Sequence, residues 1–275
     1  MPAKGRTPAS FRPLQDLATH QHGVASMGQL LDLGYSPDAV LEWGAYGRLQ
    51  RLHRGVYAVG HRRLTWYSRC WAAVLAAEPD EAAPWRAVAS HYSAAYLWGL
   101  LRFTPDVMHV TAPTRRRAKR NFRVHFSSIL AEEDRAVCQG IPVTAVPRVL
   151  LDLAIRARPE QLDGYLERAE DRELLDVRAV EDVLARAGGH RGRGRLAQAL
   201  AIYRPILRLR TRSSSGAFAS RSRLPGFPLP RRTSTSPRSS SMPTGPTCVL
   251  RSNSISSRPT AAALPPSATG VARRN

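Results

Sequence analysis

No acidic residue occurs after Asp182, so the last third of this 275-residue chain carries no carboxylate side chain. Clustered carboxylates are what hold Mg²⁺ beside a scissile phosphate, and that stretch as written therefore excludes metal-dependent phosphodiester cleavage by its own residues. Cysteine is scarce too. Cys70, Cys138 and Cys248 are far apart and odd in number, which speaks against a disulfide framework or a zinc cluster and for a reducing compartment. His20 and His22 have no cysteine or acid at ligand spacing, so no metal and no cofactor is expected. The longest apolar run, Trp71 to Ala77, is too short to span a bilayer, and no apolar segment follows Lys4 and Arg6. The expectation is a soluble cytoplasmic protein without membrane association.

Charge is present in quantity but unevenly spread. All 21 acidic residues lie at or before Asp182, while 16 of the 41 basic ones lie from Arg191 onward, leaving about +4 on the first 190 residues and +16 on the rest. The pI of about 11.3 therefore describes the tail, and is not by itself an argument that the folded part binds nucleic acid.

Residues 1–10 read as a flexible arm. From Phe11 to about Thr19, Leu14, Leu17 and Ala18 recur at helical spacing, and Gly23 ends that helix. Ser26 is placed to cap a second helix with Met27, Leu30 and Leu31, stopped by Gly34. Ser36-Pro37-Asp38 starts a third, to about Tyr46: a capping serine, a proline at the first helical position and an acid at the positive helix end. Gly47 to Gly60 then reads as two short strands closed by Arg54-Gly55. Three helices leading into a basic hairpin is the outline of a winged helix.

The run HGVASMGQLLDLGYSPDAVLEWGAYGRLQRLHRGVYAVG, with its helix-turn-helix spacing and its R-L-x-R-L-H-R-G-V-Y wing, resembles the N-terminal winged-helix domain of the AbiEi family of bacterial antitoxins. The resemblance implies a sequence-specific DNA-binding repressor of an antitoxin–toxin operon, and a nucleotidyltransferase-type toxin as functional partner. One departure stands out: the third helix offers Asp38 and Glu42 and no arginine, whereas phosphate and guanine contacts want Arg or Lys. The candidates are Arg48, Arg51, His53 and Arg54 at the wing, with Gln29 and Ser36 on the helix-turn-helix, so backbone contact and weak base readout are expected. A protein–protein module with a merely solvated charged hairpin is the other reading.

Past the wing, Thr65 to Ala77 and Ser90 to Leu101 read as apolar helices, the second taken as core with His91 structural. Val107–Ala112, Phe122–Phe126 and Gly140–Thr144 are strand-like, Pro142 favouring an edge. The first two are read as a hairpin whose tip, Pro113 to Asn121, holds Arg115, Arg116, Arg117, Lys119 and Arg120: a clamp on a phosphate backbone or a soluble turn. Glu132, Glu133 and Asp134 read as a solvated acidic loop. Helices follow from Pro147, Pro159 and Val177, with Asp152 expected to pair with Arg148 at i−4. SAAYLWGL, MHVT, GIPVT and VLLDLA also resemble the segment that follows the winged helix in actinobacterial AbiEi-like proteins.

From about Ser213 hydrophobic periodicity disappears and Ser, Arg, Pro and Thr dominate. One reading is a disordered basic tail. Related proteins with this beginning continue into a restriction-endonuclease-like domain of the Vsr type. Regrouping the codons for Ser239 to Cys248 one nucleotide upstream permits E-L-D-A-Y-W-P-D-L; the same shift permits V-E-L-D across Arg251 to Ser254 and E-L across Ser213 to Ser215. The second reading is thus a frameshift near Arg212.

The expected fold is α+β: an arm (1–10), a winged helix-turn-helix (11–62), a mixed helix and antiparallel-strand domain (63–203) and a disordered basic tail (204–275). The expected function is a non-enzymatic DNA-binding antitoxin or transcriptional regulator acting on double-stranded DNA, with homodimerisation on an inverted repeat open. The alternatives are the remnant of a nuclease-like DNA enzyme and an interaction module.

Overall fold

Ser26 and Ser36 start helices by satisfying otherwise orphaned N–H groups. Ser26 Oγ accepts from Gln29 N (3.2 Å) while Gln29 Oε1 accepts from Ser26 N (2.9 Å), a reciprocal capping box. Ser36 Oγ accepts from Ala39 N at 3.2 Å, with Pro37 in the first turn. The computed structural model describes residues 11–60, 63–78, 86–115, 121–128, 130–216 and 248–249. Its N-terminal unit runs α1 (Arg12–His20), β1 (Val24–Ser26), α2 (Met27–Asp32), α3 (Pro37–Ala45), β2 (Leu49–His53) and β3 (Val56–Val59). The two hairpin strands join at Arg54-Gly55, where Gly55 adopts φ +71°, a conformation glycine takes without a Cβ penalty. The sequence reading omitted β1, which completes an antiparallel sheet in the order β1-β3-β2. Leu14, Leu30, Tyr35, Val40 and Leu49 fill the core beneath it. Three helices and a winged hairpin are thus in place.

The second unit is built around α4 (Trp66–Ala77), which serves two cores. Ala72 packs with Val24 and Val56 on the back of the hairpin sheet, while Cys70, Ala73, Val74 and Ala77 belong to the main core. His22 locks the seam: its Nε2 lies 2.7 Å from Gln139 O, its carbonyl accepts from Ser68 Oγ at 2.7 Å, and its ring stacks on Tyr67.

The main sheet comprises β4 (Val88–Ala89), β5 (Met108–Ala112), β6 (Phe122–Phe126), β7 (Arg135–Cys138), β8 (Ile141–Thr144) and β9 (Cys248–Val249), in the order β6-β5-β4-β8-β7-β9. Around it lie α5 (His91–Leu97), α6 (Val146–Leu153), α7 (Pro159–Asp171), α8 (Val177–Arg186) and α9 (Arg193–Gly216). Leu150, Leu151, Leu153 and Leu166 are essentially fully buried, each contributing about 1.5–3 kcal/mol by burial. Trp98 is buried as well and donates Nε1–H to Thr144 O at 2.8 Å, joining α5 to β8. Among the described residues no helix is long and apolar enough to cross a membrane.

Several expectations are corrected. β5 and β6 are parallel, Met108 opposite Phe122 through Ala112 opposite Phe126, so the two strands do not form a hairpin; residues 116–120 between them lie outside the described residues. Alternation has the same period in either direction and does not report strand polarity. Pro142 lies in an interior strand; the two-residue β4 meets β8 only at Ala89 opposite Val143, so little of the ladder on that side needs its missing N–H. The helix expected to reach Leu101 ends at Leu97, followed by Gly99 at φ +73°. The helix expected to end near Tyr203 runs to Gly216, through Pro205. Inside the expected disordered tail, Cys248–Val249 pairs antiparallel with β7, Cys138 opposite Cys248. Residues 217–247 and 250–275 of that tail lie outside the described residues. Cys138 is disulfide-bonded, against the expectation of isolated thiols, since cross-strand register brings distant positions close. Cys70 is a free buried thiol, pushed up to about 12 by its burial.

Candidate functional site

The wing carries its charges at exposed positions. Arg48, Gln50, Arg51 and Arg54 are exposed, whereas Val56, Ala58 and Val59 on the facing strand are buried. β2 itself does not alternate: Leu49 is buried, Gln50 and Arg51 are both exposed, and the register shifts between Arg51 and His53. The outer face of α3 is also open: Asp38 and Glu42 are exposed, as are Leu41 (67%) and Tyr46 (72%). The helix therefore offers acid and apolar groups, and the positive charge resides at the wing.

A second constellation lies in the main unit, where α5, β5, β6 and α6 converge. His91 and His125 stack with ring centroids 3.6 Å apart, and His109 continues the stack at 5.1 Å from His125, with His109 Nδ1 2.9 Å from His125 Nε2. Beneath them Asp152 is 3% exposed. Its Oδ1 accepts from Arg148 Nε at 3.1 Å and faces His190 Nε2 at 3.4 Å; its Oδ2 faces His91 Nδ1 at 3.7 Å. Arg148 also reaches Asp134 at 3.5 Å, and Arg186 pairs with Asp134 at 2.8 Å.

Burial dominates the titration of this cluster. It pushes His91 down to about 3, against the pull of Asp152 and helped by His125, His109 and Arg148. Burial, His125, Arg123 and Arg156 bring His109 down to about 4. His125 is lowered by burial first, with Asp152 opposing and Arg123 and Arg156 adding. For Asp152 burial works to raise the carboxyl, but His91, the His190 contact and Arg148 outweigh it and hold it below its ordinary value. At neutral pH, where His91 is uncharged, Arg148 supplies the formal counter-charge. Among the described residues, no group of three or more His, Cys, Asp or Glu side chains is placed to hold a metal ion.

Comparison with known proteins bears on the first of these sites. Residues 12–60, from the start of α1 to the end of the wing, match the family model described as transcriptional regulator, AbiEi antitoxin. The match is confined to this N-terminal unit, which is similar to that family. No curated protein matches the chain. Among solved structures, the RV2827C protein from Mycobacterium tuberculosis is similar at 20% identity and a TM-score of 0.42, over 71% of this chain and 83% of that one.

Within the N-terminal unit the sequence-selected residues have distinct surroundings. Arg48, Arg51 and Arg54 are exposed along the wing, Arg48 at its base and Arg54 at its turn. Gln29 and Ser36 are helix caps, their side-chain oxygens occupied by backbone N–H groups. His53 is half-buried and turned onto the seam, its ring edge-on to Phe122 at 5.0 Å. Outside the unit, Arg115 lies 4.5 Å over the Phe126 ring; Arg116, Arg117, Lys119 and Arg120 lie outside the described residues. Asp152 pairs with Arg148 as its i−4 spacing indicates. Asp134, read as solvated, is instead 5% exposed, because Arg148 and Arg186 come to it from α6 and α8. The three-histidine stack was missed altogether. Only the alternation in β5 and β6, with a histidine second or fourth in each strand, hinted that two of them share a face.

Proposed function

We propose that the chain is a non-catalytic DNA-binding regulator of the AbiEi antitoxin type, which holds double-stranded DNA by wing arginines on phosphates and reads bases weakly through α3. The observation that carries this reading is the family match over the unit whose hairpin carries the exposed Arg48, Arg51 and Arg54. Arginine on phosphate contributes affinity without sequence information, and it releases counterions. The acidic and apolar face of α3 argues for modest sequence preference. The resemblance implies a nucleotidyltransferase-type toxin as functional partner, and a homodimer would suit an inverted repeat. The test is fluorescence anisotropy of the full chain on duplex DNA across a salt series: log affinity should fall steeply with log salt. A flat response would favour an interaction module.

A second reading concerns the segment after Arg212. Its lack of any carboxylate, together with the E-L-D-A-Y-W-P-D-L and V-E-L-D strings permitted one nucleotide upstream, supports out-of-frame translation of a Vsr-type nuclease-like domain. Sequencing the gene from independent template across the codons for Tyr203 to Arg258 decides it. An open shifted frame spelling those strings supports the reading, and stop codons there refute it.

A further inference from the structure

The histidine stack and Asp152 together line a cleft of about 420 Å³, within the range of small-molecule sites. Its boundary has three chemically different parts. Tyr92, Val107, Leu153 and Ile155 make an apolar and aromatic wall. Arg123, Arg156 and Arg191 line it from exposed positions, and none of them has a carboxylate partner among the described ion pairs. Asp152 is the buried acid of the lining. Its Oδ1 is engaged by Arg148, but its Oδ2 is buried and receives no hydrogen bond, His91 Nδ1 at 3.7 Å being beyond reach. A buried carboxylate oxygen without a donor is costly to maintain, and this one belongs to the cleft lining.

His91 itself, the first residue of α5, is held at φ +49°, a conformation a non-glycine residue rarely adopts. From that position its ring stacks on His125 and its Nδ1 faces Asp152 Oδ2.

A ligand matching this lining has a flat, partly apolar body for the wall, an anionic end for the arginines and an N–H or O–H donor for Asp152. We propose that the cleft binds a mononucleotide, with its phosphate on Arg123, Arg156 and Arg191 and a ribose hydroxyl or base amino group donating to Asp152 Oδ2. Each part has its own physical reason: guanidinium groups suit phosphate oxygens, aromatic and aliphatic side chains take the base face, and the orphaned acceptor selects a ligand with a donor. The inference is independent of DNA binding at the wing, which shares none of these residues.

The experiment is isothermal titration of the full chain with the 5′-monophosphates of adenosine, guanosine, cytidine and uridine, and with inorganic phosphate and the four nucleosides as half-ligands. At least one monophosphate should bind about tenfold or more tighter than phosphate and than its own nucleoside. The exposed double substitution Arg156→Gln with Arg191→Gln should weaken that monophosphate about tenfold or more while leaving its nucleoside unchanged. Because both side chains are on the surface, the variant keeps the fold, which circular dichroism checks. The proposal is overturned if no monophosphate exceeds phosphate alone, or if the double variant binds it as tightly as the parent chain.

Discussion

His91 makes stability depend on pH in a direction fixed by its burial. In the unfolded chain its imidazole titrates near the ordinary 6.5, and in the folded protein near 3. The folded state therefore binds fewer protons between those values. The group's contribution is fully present above about pH 6.5 and is lost as pH falls toward 3. Integrating over the acid limb gives a loss of about 2 kcal/mol between about pH 7.5 and 5 from this residue alone. His109 has the same sign but is partly exposed, so solvent screening leaves it a smaller share. Asp152 contributes nothing in this window, because its depressed carboxyl loses its stabilisation only as pH falls below its ordinary value of 3.8. The assay is urea unfolding at several pH values, for the parent chain and for His91→Asn; asparagine accepts positive φ better than most residues. The parent should lose stability on acidification, with a markedly shallower slope in the variant. Identical slopes in the two proteins would refute the assignment.

Two further outcomes follow from other parts of the fold. Arg51→Ala combined with Arg54→Ala should weaken DNA binding on all sequences alike and reduce the salt slope by about 2, read by anisotropy across a salt series; unchanged affinity would remove the wing from the interface. Gly192→Ala should destabilise by about 1–3 kcal/mol, because an added Cβ would collide with the Leu151 carbonyl and also crowd Ala154 at 3.3 Å. Thermal melting checks this, and an unshifted midpoint would mean that the approach of the α9 start to α6 is looser than the structure has it.

Local signals were legible where the physics is local. Ser26 and Ser36 cap helices because a hydroxyl reaches an N–H three residues away, and Arg54-Gly55 turns a hairpin because glycine takes positive φ cheaply. Arg148 and Asp152 meet because four residues is one helical turn. The strands β1 and β4 were not legible, being two or three residues long and defined by their partners rather than by any pattern of their own. For β5 and β6 the alternation was visible but the polarity was not, and the basic run between them was misread as a hairpin tip for that reason.

By itself the sequence determined the three helices and winged hairpin of the N-terminal unit, the likeness of residues 12–60 to a regulator family, and the concentration of positive charge beyond Arg191. Tertiary structure alone decided that His91, His109 and His125 stack over Asp152, that Asp134 is buried between arginines of α6 and α8, and that His22 bolts the wing unit to the rest. Caps and turns depend on neighbours within one helical turn or one hairpin, which a linear reading contains. The cleft depends on residues as much as 100 positions apart, His91 and Arg191 among them, whose meeting is set by strand order and helix packing.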